Sequence, residues 1–172
     1  RRQGRTPSSR VVVRRSRRPS DAERSALRVP HGSEVVELQR VRLADHEPVA
    51  VETAVLTDRC IEPVLAADLE TGSLHEALIN AGVLPTRGKS SIGAEAATAD
   101  DAVLLGIRAG DPMLVERRLI FDQRGRPIER TESRYAADRY GLDVGFNVED
   151  SGALSVASDD EPLTTIPPGS RG

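Results

Sequence analysis

SDAERSALRVPHGSEVVELQRVRLADHEPVAVETAVLTDR, residues 20–59, and DDAVLLGIRAGDPMLVERRLIFDQRGRPIERTESRYAADR, residues 100–139, are two copies of one pattern. Each copy opens on a short helix and passes a glycine turn at Gly32 or Gly110. A strand with a central arginine follows (Arg40, Arg118), then a turn ending in proline (Pro48, Pro127), a second strand and a closing Asp-Arg. A repeat of this length is one supersecondary unit used twice, here a helix followed by a β-hairpin. Ser20 and Glu23 have capping-box spacing and predict a helix over 21–27; Thr98 and Asp101 stand in a similar relation, with the helix stopping near Gly106. Strands are expected over 34–43 and 49–56 in the first copy, and over 112–121 and 127–135 in the second.

Working outward, Gly72–Gly82 between the copies reads as a helix over 74–81, with Ser73 as N-cap, Glu76 three residues on and Gly82 as the stop. A strand over 86–95 follows it, and Ser9–Val13 reads as a first strand. Adjacent hairpins with helices grouped between them predict an α+β fold, an antiparallel sheet of about six strands with flanking helices. Residues 1–8 read as a basic linker remnant, 9–148 as the folded domain, and 149–172, rich in Ser, Asp, Gly and Pro, as a disordered tail.

Composition narrows the function classes. The 172 residues carry a net charge of −3, but residues 1–18 hold eight arginines and no acid. That run reads either as a nucleic-acid arm or as a solvated linker joined to the first strand; the acidic remainder would repel a phosphate backbone. Phe121, Tyr135, Tyr140 and Phe146 are the four aromatic residues, too few to build stacking platforms for bases. One cysteine, Cys60, forms no intrachain disulfide, which suits a reducing, cytoplasmic setting. No apolar run is long enough to span a membrane, and no signal-peptide pattern opens the chain. The chain begins with Arg1 and is expected to be a piece of a longer protein. His31, His46 and His75 lack metal-ligand spacing, and no phosphate-loop, dinucleotide or nucleophile-elbow motif occurs, so neither metal nor cofactor nor catalytic residue is expected.

Strand parity selects the candidates. Arg40 and Arg42 share a face with Val36 and Leu38, which reads as a partly enclosed cationic site for phosphate or carboxylate, or as the solvated end of an edge strand. Glu52 sits in an apolar row with Ala50, Ala54 and Leu56 and needs an arginine or a ligand hydroxyl. Glu129, Thr131, Ser133 and Tyr135 make one face polar at every position, either a pocket wall or the wet side of a sheet. Ser73 heads a helix whose first-turn N–H groups favour an anion, a role compatible with simple capping.

RVRLADHEPVAVE (40–52), SLHEALINAG (73–82), AVLLGIRAGDP (102–112) and RGRPIERTESRYAADRYG (124–141), in that order, resemble the UTRA domain, the ligand-sensing half of the HutC subfamily of GntR-type regulators. The resemblance covers about residues 8–148. It implies a chorismate-lyase-like fold, a pocket between the half-repeats, homodimerisation and a DNA-reading winged helix-turn-helix in a preceding domain. It further implies that Arg40 and Arg42 bind the phosphate of a sugar-phosphate effector and that Glu52 contacts the sugar. Ser73 and His75 match the helix-start pair, and Glu129 and Tyr135 match the acid and tyrosine of the last motif. Position 75 is commonly aromatic in the family; His75 departs from that pattern and puts the ligand's identity in doubt. The fold likeness also keeps a second function open, a chorismate-lyase-like enzyme acting on a small carboxylate.

Overall fold

Two β-α-β-β halves, each made of one copy and the strand that precedes it, build the sheet. The computed structural model describes residues 6–142 and the backbone of two short strands at 146–148 and 154–156. The first half is β1 (Pro7–Arg17), α1 (Asp21–Leu27), β2 (Val35–Ala44) and β3 (Glu47–Thr57). A 3₁₀ turn (Asp58–Cys60), α2 (Ile61–Ala66) and α3 (Leu74–Asn80) form the connection. The second half is β4 (Pro85–Ala96), α4 (Ala99–Leu105), β5 (Pro112–Asp122) and β6 (Pro127–Ala136). The six strands run in the order β1-β2-β3-β6-β5-β4, every neighbouring pair antiparallel, so equivalent strands mirror each other about the β3–β6 seam. Strands β7 (Phe146–Val148) and β8 (Leu154–Val156) pair antiparallel with each other. Apart from those strands, the tail expected from residue 149 lies outside the described residues.

Local chemistry sets the helix ends. Both capping boxes form: Glu23 N–H donates to Ser20 Oγ and Asp101 N–H to Thr98 Oγ1, while each acid accepts from the N-cap backbone. The helices end on left-handed residues, Arg28 (φ 54°) in the first copy and Gly106 (φ 66°) in the second. Helix α2 has no counterpart in the expected elements; six residues with a proline inside are too short for a periodic pattern.

Helices lie against both faces of the sheet. On one face Val36, Leu38, Ala54, Leu56 and Ile120 pack with Cys60, Val64, Leu74 and Leu78 of the connecting segment. On the other, Val41, Val51, Met113 and Val115 pack with Leu105 of α4, and Val35 and Val55 with Leu27 of α1. Of the N-terminal arginines, Arg15 and Arg17 bind Glu37, and Arg17 forks onto Glu23. That fork holds the Glu23 carboxyl down to about 2. Arg14 donates to the Ala67 carbonyl. Within the described residues, then, the basic run is strand β1 with cross-strand partners rather than a free arm.

Candidate functional site

The face that carries the connecting helices is apolar at one end and polar in the middle. Register places Arg40, Glu52, Ser133 and Glu116 in one row across β2, β3, β6 and β5. The adjoining row is Leu38, Ala54, Thr131 and Arg118, and the next is Val36, Leu56, Glu129 and Ile120. The row on the other side holds Arg42, Ala50, Tyr135 and Leu114. Helix α3 lies over this face because Leu74 and Leu78, four residues apart, are buried in its core. Ser73 caps it, accepting from Glu76 N–H at 3.3 Å. The segment before the cap is tied to β1 by Ser9 N–H donating to the Glu70 carbonyl at 2.9 Å. Asp68 closes the turn there by accepting from Glu70 N–H. Gly72 is required in that turn: a Cβ would meet the Asp68 carbonyl oxygen at 2.4 Å.

Between α3, this turn and the sheet lies a cavity of about 320 Å³. Arg40, Arg42, Glu52, Ser73, His75 and Glu129 line it, six of the eight residues expected from the sequence. Ser133 and Tyr135 lie on the same sheet face but are not among its lining residues; Tyr135 stacks on Tyr140 with ring centroids 3.9 Å apart. Glu129, Thr131 and Ser133 are 2 % exposed or less. The polar row of β6 is therefore interior, not the wet side of the sheet.

The charges are largely matched. Arg40 is buried, donates to Glu52 Oε1 through Nη2 and to the Leu69 carbonyl at 3.4 Å. The partner that Glu52 requires is thus Arg40, directly opposite it in register. Burial works against the Glu52 charge, but Arg40, Arg42 and Arg118 outweigh it and hold the carboxyl below its usual range. Glu129 accepts from the Thr131 hydroxyl and pairs with His75 Nε2 at 3.2 Å. That bond raises the His75 pKa. Arg118, missed by the sequence reading although it is the repeat-mate of Arg40, also lines the cavity. The duplication itself was the signal that could have found it. Three arginines (Arg40, Arg42, Arg118) thus face three acids (Glu52, Glu70, Glu129) around the cavity. Among the described residues no hydrogen bond or ion pair engages the Arg42 side chain. Among the described residues three buried side-chain atoms have no hydrogen-bond partner: Arg40 Nε, Arg118 Nε and Ser133 Oγ. All three belong to two neighbouring rows of this one face. Buried polar groups are nearly always satisfied, so such a cluster calls for partners beyond this chain's own side chains, water or a ligand. Among the described residues no hydrogen bond joins a lining serine or threonine to His75; guanidinium forks, carboxylates and hydroxyls suit binding an oxygen-rich anion.

Comparison with known proteins identifies the family and the fold. The UTRA domain model matches residues 2–141. The chain is 28 % identical over 138 residues to the HTH-type transcriptional repressor NagR of Bacillus subtilis, a match covering 80 % of this chain and 56 % of that protein. The effector domain of PhnF from Mycobacterium smegmatis superposes with a TM-score of 0.74 at 28 % identity, covering 80 % of this chain and 85 % of that one. The ligand-binding domain of a GntR-family regulator from Bordetella bronchiseptica gives a TM-score of 0.74 at 25 % identity, covering 83 % and 90 %. The chain spans about half the length of the curated regulators it matches. By fold, by sequence and by extent of the match, the chain belongs to the UTRA domain family.

Proposed function

We propose that this chain is the effector-binding and dimerisation domain of a bacterial GntR-type transcriptional regulator. Its effector is an anionic metabolite, a sugar phosphate or amino-sugar phosphate, and DNA is read by a winged helix-turn-helix in another part of the same protein. The observation that carries the reading is the cluster of three unsatisfied buried polar atoms beside one cavity, with the unengaged Arg42 guanidinium in its wall. The names of its relatives as HTH-type regulators support the DNA-reading half, and they favour binding over the enzyme reading. A regulator that reads DNA would act in the cytoplasm. No helix among the described residues is long and apolar enough to cross a membrane.

One departure from the sequence reading follows from the geometry. Arg40 is committed to Glu52, so Arg42 is the principal anion contact. His75, bonded to Glu129, adds a positive charge to the cavity when protonated. Strand β4 supplies the surface for a second copy: it is an edge strand of 12 residues, exposed at every position after Pro85. An unpaired edge of that length is a template for strand pairing. The effector would act by binding two arrangements of the dimer with different affinity.

A thermal-shift panel of glucose 6-phosphate, glucosamine 6-phosphate, the two unphosphorylated sugars, amino acids and organic acids tests the proposal. A ligand that binds only the folded chain raises Tm with its concentration. A shift with a phosphorylated sugar and none with its parent is the expected result. A shift with the amino acids alone would overturn the phosphate assignment.

A further inference from the structure

We propose that Arg118 selects the far end of the effector, donating to an uncharged oxygen acceptor, a hydroxyl or carbonyl, while Arg42 takes the anionic group. This assignment rests on the anion site proposed above. Arg40 and Arg118 occupy equivalent places in the two halves and point to the same face. Opposite Arg40 across its hairpin stands Glu52, which accepts its hydrogen bond. Opposite Arg118 stands Thr131, and the Thr131 hydroxyl is already donated to Glu129. The second copy therefore lacks the acid that satisfies the first.

The acids nearest Arg118 do not replace it. Glu52 Oε2 and Glu116 Oε1 each lie 3.8 Å from its nitrogens, beyond hydrogen-bond reach. Glu116 instead accepts from Ser90 Oγ at 2.7 Å. Arg118 Nε is buried without a partner, its side chain is 31 % exposed, and Arg118 lines the cavity. A buried donor left unmade is costly, so an acceptor offered there gains. Two carboxylates already flank the guanidinium, which disfavours a third negative charge and favours a neutral oxygen. Arg42 stands three strands from Arg118, roughly 14 Å across a sheet with about 4.8 Å between strands. Arg42 and Arg118 are therefore not neighbours on the sheet, and their forks are assigned to different groups of one ligand.

The test is calorimetry of the wild-type chain, R118Q, R118K and R42A with glucose 6-phosphate, 6-phosphogluconate and inorganic phosphate. R118Q is expected to weaken glucose 6-phosphate by about tenfold or more and inorganic phosphate by less than about threefold, whereas R42A weakens both. R118K keeps the charge but not the fork and falls between R118Q and wild type, which separates the contact from any loss of folding. Wild type is expected to prefer glucose 6-phosphate to 6-phosphogluconate, whose far end is a carboxylate. Equal losses for glucose 6-phosphate and inorganic phosphate in R118Q, no loss in either, or a preference for 6-phosphogluconate overturns the proposal. If wild type binds none of the three, the anion site itself falls, and the Arg118 assignment with it.

Discussion

At the scale of single residues, burial decides which group can be changed without rearranging the rest. Arg40 is 3 % exposed and neutralises Glu52. Replacing it removes the hydrogen-bonded partner of Glu52 and leaves only Arg118 at 3.8 Å, so Arg40→Ala is expected to cost on the order of 3 kcal/mol of folding stability by denaturant titration. His75 follows a different logic. Its bond to Glu129 raises the folded-state pKa above the unfolded value near 6.5. Its stabilisation is therefore complete below about pH 6.5 and is lost as pH rises through the folded value. Melting curves of wild type and His75→Gln should converge as pH rises from 6 to 9; a constant gap would contradict the pairing. Cys60, 0 % exposed and pushed up to about 11 by burial, should resist thiol reagents in the native chain and react on unfolding.

At the scale of elements, the two copies serve as controls for each other. Helix α4 ends on Gly106 in the left-handed region, and α1 ends on Arg28 in the same conformation. A non-glycine side chain pays about 1–2 kcal/mol there, partly offset by the freedom glycine adds to the unfolded chain. Exposed Arg28→Gly is accordingly expected to raise stability by up to about 1 kcal/mol, read from the denaturation midpoint. Helix α3 positions Ser73 and His75 only through its buried Leu74 and Leu78. Leu78→Ala should cost about 2–5 kcal/mol and weaken effector binding as well, because the helix that roofs the cavity is no longer anchored. These elements were legible in advance where a cap or a period marks them. The ends of α1, α3 and α4 fall within a residue or two of the capping signals. The short α2 had no such mark.

At the scale of the whole molecule, the duplication made both the antiparallel sheet and its symmetric strand order foreseeable. The site was foreseeable in part. Parity grouped Arg40 with Arg42, Glu52 with its apolar row and Glu129 with the polar row of its own strand; the cross-strand register brings these rows onto one face. Which face the connecting helices would cover, and so whether the β6 row is wall or wet surface, depends on long-range packing of Leu74 and Leu78. The pairing of Arg40 with Glu52 depends on a hairpin register set by a shift between Arg42 and Leu43. Neither is written in local spacing. The exposed β4 edge carries the prediction at this scale. The chain should sediment at twice its 18.6 kDa mass, and Ile92→Lys, at the middle of that strand, should shift it towards monomer.

The central claim, that the cavity beneath α3 binds an anion through Arg42, is tested most directly by calorimetry of wild type and Arg42→Ala with the phosphorylated sugar that gives the largest thermal shift. No hydrogen bond among the described residues holds Arg42, and only its charge acts on Glu52, so the variant should stay folded with a small drop in melting temperature. It should lose about 1.5–3 kcal/mol of binding, on the order of 10–100-fold in Kd. An unchanged Kd in a folded Arg42→Ala chain would contradict the account.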